Sequence, residues 1–215
     1  MPSPAASSPF DQSRYQVRFD WGVAGLRRVA PADVVVVVDV LRFSSTVSAR
    51  VAAGDTVALD EAALAVSRNG AAIAGAASDS VVLLGCLRNA DAVAAAVLAE
   101  QQRRGARTSI AVIAAGELAG PEGETELRFA VEDLLGAGAV VDALSRLGID
   151  HTSPEAAAAC ESFRGLGGAV RHLLTASGSG QELLERGLRD DALAAAQIGV
   201  DEVAPLLRGG VFTAA

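Results

Sequence analysis

Aromatic residues are scarce in this chain. Phe, Trp and Tyr make up 4% of its 215 residues, although 51% are hydrophobic. A core of that composition must be built from Ala, Val and Leu, in closely packed helices and buried strands. Sulfur is scarce as well. The two cysteines, Cys86 and Cys160, form no CxxC motif, so reduced thiols in a cytoplasmic protein are expected. With only His151 and His172, a histidine-rich zinc site is not expected. No apolar run reaches the roughly 20 residues that a membrane span needs. The opening MPSPAASSPFDQSRYQ has no basic stretch followed by an apolar one, as a secretory signal would, and reads as a short flexible tail. Net positive charge is also lacking. A formal charge of -8 argues against nucleic acid, whose partners carry a basic footprint. It leaves small anions open, because a local cationic pocket can sit on an acidic protein.

Several phosphate-handling and nucleophile motifs are missing too. There is no GxxxxGK[ST] and no GxSxG, and the glycines of GELAGPEG and ASGSGQE do not make a GxGxxG after a strand. Two residues beyond Asp39 stands Leu41, where a haloacid-dehalogenase-like phosphatase would carry a second Asp.

What is present begins with VVVVVDVLRFSST at positions 34–46. Five β-branched residues in a row mark a strand buried on both faces of a parallel sheet. FSSTVSARVAAG then reads as a helix, with Ser44 or Ser45 as N-cap and Gly54 as its stop. DTVALD is a short strand candidate, AALAVSRNGAAIAGAAS is ambiguous, and Asn69-Gly70 marks a turn. SVVLLGC is a strand, followed by a helix over ADAVAAAVLAEQQRR from an Asn89 cap to Gly105. SIAVIAAGE is another strand. LAGPEGETE is a loop, and LRFAVEDLLGAGAVVDALSRLG is one long helix softened by Gly136 and Gly138. Beyond it no further strand is expected, and residues 153–207 read as two or three helices. The alternation predicts an α/β fold, a mostly parallel β-sheet flanked by helices with a helical C-terminal segment. Residues 1–30 read as lead-in and 31–215 as a single domain.

In open α/β sheets, ligands bind beyond the carboxyl ends of the strands. Three polar clusters fall there: Asp39, Arg42, Ser44, Ser45 and Thr46; Cys86, Arg88 and Asn89; and Gly116-Glu117 with Glu132-Asp133. Oxygen ligands, a guanidinium and helix N-termini suit a phosphorylated substrate with a hard cation such as Mg2+. A structural reading stands beside each. Asp39 and Asn89 could be caps, Cys86 a small buried residue, and Glu132-Asp133 first-turn acids that complement a helix dipole.

The blocks VVVVVDVLRFSSTV, SRNGAAIAGAA, VVLLGCLRNADAVA, VIAAGE, FAVEDLLGAGAVV and ASGSGQELLERGLRDDALAAAQIGVDEVAPLL stand in an order that resembles the 2-phosphosulfolactate phosphatase family, from about Asp33 to Leu207. The resemblance implies a magnesium-dependent phosphatase that converts 2-phospho-3-sulfolactate to 3-sulfolactate and phosphate, a step of coenzyme M biosynthesis. By motif match it falls on Asp39 and Arg42 at the strand end and on the acidic pair Glu132-Asp133. In that reading Asp39 binds Mg2+ or activates the nucleophile, Arg42 holds the phosphate in catalysis, and Glu132 and Asp133 complete the metal site or act as acid and base. Substrate contacts fall to Arg42, Ser44, Ser45, Thr46, Asn69, Gly70 and Asn89. The implied partner is a small phosphorylated or sulfonated acid, with no nucleic acid and no membrane; assembly into a homo-oligomer stays open. Only DTVALDEAALAVS separates the first helix from Asn69, a shorter middle than the family usually carries. That keeps a second reading open, a weakened or inactive member that binds a small anion or serves as an assembly partner.

Overall fold

The structure, a computed structural model, describes residues 8–60, 69–119 and 126–215. The valine run forms β2 (Val34–Val38), with all five side chains buried. β-Branched residues favour extended backbone, and a strand covered on both faces needs no polar alternation. β2 lies between two parallel neighbours, β4 (Val81–Gly85) and β5 (Ile110–Ala114). Beyond β5, β1 (Val17–Trp21) extends the parallel set. On the other side β8 (Pro205–Arg208) runs antiparallel to β4, β9 (Val211–Ala214) to β8, and β3 (Val57–Ala58) to β9. The sheet order is β1-β5-β2-β4-β8-β9-β3, a mixed sheet with a parallel centre, as expected of the α/β class.

Alternate valines of β2 feed two cores. Val35 and Val37 face α1 (Gly22–Arg28), α2 (Phe43–Ala52) and α3 (Gly70–Ala76). Val34, Val36 and Val38 face α4 (Ala90–Arg104), α5 (Val131–Arg146) and α6 (Pro154–Leu166). Three shorter helices follow: α7 (Val170–Ala176), α8 (Gly178–Glu185) and α9 (Arg189–Ala195). The helix after β2 therefore packs on one face and the helix after its neighbour β5 on the other. Such a divergence opens a crevice between the two strand ends, where doubly wound sheets hold their ligands.

Gly136 and Gly138 seat α5 closely. A Cβ on Gly136 would stand 2.5 Å from Val40 Cγ2, and one on Gly138 would stand 2.1 Å from the carbonyl oxygen of Ala159 in α6. These glycines are demanded by close approach and do not soften the helix, which runs unbroken over 16 residues.

Four sequence expectations are corrected. The long helix begins at Val131, not Leu127, because Glu126–Arg128 forms β7, paired with β6 (Glu117–Ala119) in a separate two-stranded ribbon. Strands this short have no readable period. The chain also returns to the sheet at its end. Gly209 and Gly210, with φ of 57° and 80°, join β8 to β9; a two-residue hairpin of this hand needs positive φ at both positions. The helical stretch after residue 153 contains four α-helices and stops at Ala195. Finally, the described part of the lead-in is fastened. Gln12 is buried, its Oε1 accepts the Phe19 N–H at 3.0 Å, and its Nε2 donates to the Phe19 carbonyl at 2.9 Å. Strand β1 was hidden from the sequence by Arg18, which is buried and donates to the carbonyls of Tyr15, Ala30 and Pro31. The ambiguous AALAVS and the centre of the LAGPEGETE loop lie outside the described residues. Among the described residues no helix is long and apolar enough to cross a membrane.

Candidate active site

Asp39 leaves the end of β2 and is locked by backbone. Its Oδ1 accepts the Phe43 N–H at 3.1 Å and its Oδ2 the Gly70 N–H at 3.2 Å. One carboxylate thus joins the first turns of α2 and α3. Gly70 must be glycine for this: a Cβ there would lie 2.6 Å from Asp39 Oδ2 and 2.9 Å from the Phe43 ring. Arg42 occupies the N-cap position of α2, correcting the expected Ser44 or Ser45. Its peptide with Leu41 is cis, and its guanidinium pairs with Asp191 of α9.

Glu132 and Asp133 stand in the first turn of α5, where acids are favoured by the helix dipole. Asp133 does more than complement that dipole. Its Oδ1 accepts the Val40 N–H at 2.7 Å and its Oδ2 the Gly116 N–H at 2.9 Å, tying together the ends of β2 and β5. Asn69 donates from Nδ2 to the Gly116 carbonyl at 2.6 Å, which brings the Asn69-Gly70 turn to the same place. From α8, Ser179 presents its hydroxyl to both Glu117 Oε2 and Glu132 Oε1.

Asp39, Arg42, Asn69, Glu117, Glu132, Asp133 and Ser179 line one pocket of about 400 Å³, with Glu182 and Arg186 at its helical side, whereas Gly70 stands behind Asp39 and does not line it. Among the described residues its charge is lopsided: the acids Asp39, Glu117, Glu132, Asp133 and Glu182 stand against two cations, Arg42 and Arg186. Burial pushes the Asp133 carboxyl well above the usual range, and the charges of Asp39 and Glu132 push the same way; its two amide bonds work against the shift. Burial also raises Glu117. The Ser179 hydroxyl pulls it back, and Glu132, Glu182 and Asp39 push it up further.

Among the described residues no three acidic, His or Cys side chains are already drawn together into a metal cage. The donor chemistry nevertheless fits a hard cation. It is all oxygen, it carries excess negative charge, and each amide-bonded carboxylate oxygen keeps a second lone pair.

Not every expected residue reaches this pocket. Ser44 is fully buried, accepts the Asp39 N–H and donates to the Val37 carbonyl, each at 3.1 Å. Its hydroxyl stitches strand to helix. Ser45 and Thr46 face a second, smaller hollow of about 250 Å³ on the far side of Arg42. Asn89 neither caps α4 with its side chain nor lines the pocket. Its Oδ1 accepts the Cys86 N–H at 2.9 Å and its Nδ2 donates to the Leu84 carbonyl at 3.1 Å. Arg88 forms a two-bond ion pair with buried Asp201, at 2.8 and 2.7 Å, and so clamps the chain beyond α9 to the end of β4. Burial raises the Cys86 thiol to about 11. The middle polar cluster is therefore structural, while the first and third converge.

Sequence reasoning passed over Ser179, Glu182, Arg186 and Asp191. Ser179 was concealed by its setting. In ASGSGQE the cap is Ser177, whose Oγ accepts the Gly180 N–H at 3.0 Å, and the second serine looked like part of the same turn.

A doubly wound sheet with an acidic pocket at its switch point defines an α/β protein equipped for a small polar ligand. The sequence model of 2-phosphosulpholactate phosphatase matches residues 55–210, and the chain belongs to that family, a family of phosphatases. The match begins beyond the Asp39–Arg42 stretch, so that stretch is joined to the matched portion by the contacts described above.

Proposed function

We propose that this protein is a magnesium-dependent phosphatase acting on a small acidic phosphoester, with 2-phospho-3-sulfolactate as the expected substrate. The carrying observation is convergence. Asp39 from β2, Glu132 and Asp133 from α5, and Arg42 from the start of α2 share one pocket in a chain of a phosphatase family.

In this reading Asp39, Glu132 and Asp133 hold the cation. When bound, magnesium neutralises charge on the phosphoryl oxygens and helps to align the ester. Arg42 grips the phosphoryl group or a second acidic group; a guanidinium offers paired donors to such oxygens. Asn69 and Gly70 keep Asp39 and the end of β5 in register. Asn69 lines the pocket and is placed to meet the substrate, whereas Gly70 contributes indirectly, through the carboxylate it borders.

The test is phosphate release from a panel of small phosphoesters, with magnesium and with chelator. Magnesium-dependent release from acidic esters is expected, and its loss in Asp39→Asn. Full activity in Asp39→Asn would remove the role given to that residue. Calorimetric binding of phosphorylated or sulfonated acids without turnover would instead favour the binding-only reading.

A further inference from the structure

We propose that Ser179 is the nucleophile, attacking phosphorus to form a phosphoserine; this rests on the phosphatase reading above. Three observations carry it. First, Ser179 is the one hydroxyl or thiol among the described residues that line the acidic pocket. The other candidates are spent elsewhere: Ser44 in the strand-helix stitch, Ser45 and Thr46 on the second hollow, Cys86 in the core. Second, its hydroxyl contacts two carboxylates, Glu117 and Glu132. A weak nucleophile needs a base within hydrogen-bond reach, and a further group to fix the geometry. The alternative carboxylate nucleophiles are worse placed, because both oxygens of Asp39 and both of Asp133 accept backbone amides. Third, the serine is held rigidly. It is 8% exposed, follows the Ser177 cap, and precedes Gly180, where a Cβ would lie 1.8 Å from the Leu174 carbonyl oxygen. The backbone around Ser179 therefore has no slack.

The chemistry balances with these groups alone. Ser179 Oγ forms a bond to phosphorus as the bond from phosphorus to the ester oxygen breaks. Glu117 takes the hydroxyl proton and passes it to the departing alkoxide, while Glu132 holds Oγ in line. A water molecule then attacks phosphorus and gives one proton to Glu117. The Oγ–phosphorus bond breaks, and Glu117 returns the proton to Oγ. The net reaction is ester plus water to alcohol plus phosphate, with the protein unchanged.

The test uses the full chain with magnesium and the best ester from the panel. Two displacements should give retention of configuration with a phosphoryl group made chiral by oxygen isotopes, and acid quenching should trap the phosphoryl group on the peptide containing Ser179. Ser179→Ala should lower kcat by about a thousandfold or more, with an unchanged melting profile. Inversion at phosphorus, or a phosphoryl group trapped on Asp39 or Glu132, would overturn the assignment while leaving the phosphatase reading intact. Failure of the wild type to hydrolyse any ester would overturn both. If Ser179→Ala does not fold, the two wild-type measurements still decide.

Discussion

Asp133 of α5 accepts the backbone N–H of Val40, the residue after Asp39, at 2.7 Å. Its other oxygen takes the Gly116 N–H beyond β5. A single buried carboxylate thus closes the crevice floor between two strand ends that diverge into different helical layers. Removing it in Asp133→Ala leaves two buried donors unpaired. Each such donor costs about 1–3 kcal/mol, and relief of a buried charge offsets part of that. The expected net loss is about 1–4 kcal/mol in urea denaturation, with Asp133→Asn, which keeps one acceptor, losing less. An unchanged midpoint in Asp133→Ala would show that the carboxylate is not a structural tie.

The raised carboxyls make a prediction about pH. Glu117 binds its proton more tightly folded than unfolded, so its contribution is fully present below the ordinary glutamate range and is lost as pH rises through the raised value. Glu117→Gln removes that loss. The variant should match the wild type near pH 4 and become progressively more stable than it towards pH 8, in thermal melts without added cation. Charge neutralisation by magnesium should narrow the gap. A difference between the two proteins that does not vary with pH would contradict the assignment.

Much of this architecture was legible because its signals were local. A run of five valines, short and β-branched, reads as a buried strand without help from distant residues, and a polar residue at each strand end is visible in the sequence. What stayed hidden required partners far along the chain. Arg18 masks a strand, and its buried guanidinium is satisfied by carbonyls that no local pattern reveals. Asn89 looks like a cap, yet its amide turns back to the strand that precedes it. Ser44, Ser45 and Thr46 looked like one hydroxyl cluster, but helical rotation sends their side chains to different surroundings. Ser179 reaches Glu117 and Glu132 only because α8, far along the chain, packs against the pocket, and the serine-rich turn that holds it reads as a plain cap.

Arg42 and Asp191 should be separable in stability and function. Their side chains are 30% and 42% exposed, and ion pairs in such settings contribute about 0–1 kcal/mol. Asp191→Ala and Arg42→Ala are both expected to melt within that margin of the wild type. In catalysis they should part. Arg42→Ala loses a charge-assisted contact worth about 1.5–3 kcal/mol, which corresponds to a KM higher by about 10- to 100-fold for acidic phosphoesters. Asp191→Ala keeps the guanidinium and frees it from its partner, so its KM should not rise in step. Steady-state kinetics on both variants measures this, and equal losses would show that the ion pair itself is what substrate binding needs.

Gly70 and Gly75 lie on the same short helix and should respond oppositely to alanine. At Gly70 a Cβ would meet Asp39 Oδ2 at 2.6 Å and the Phe43 ring at 2.9 Å, whereas at Gly75 nothing stands within 4 Å. Asp39 cannot swing aside without giving up the Phe43 amide, so the clash must move the carboxylate or the start of α3. Overpacking of this kind costs about 1–3 kcal/mol. Gly70→Ala is therefore expected to be less stable by that amount and to lose magnesium-dependent phosphate release, since Asp39 is displaced from the pocket. Gly75→Ala should gain up to about 1 kcal/mol, as glycine in an exposed helical position is disfavoured against alanine, with activity unchanged. Paired denaturation curves and phosphate-release assays decide it: equal behaviour of the two variants would mean that the close contact of Gly70 with Asp39 does not constrain the site.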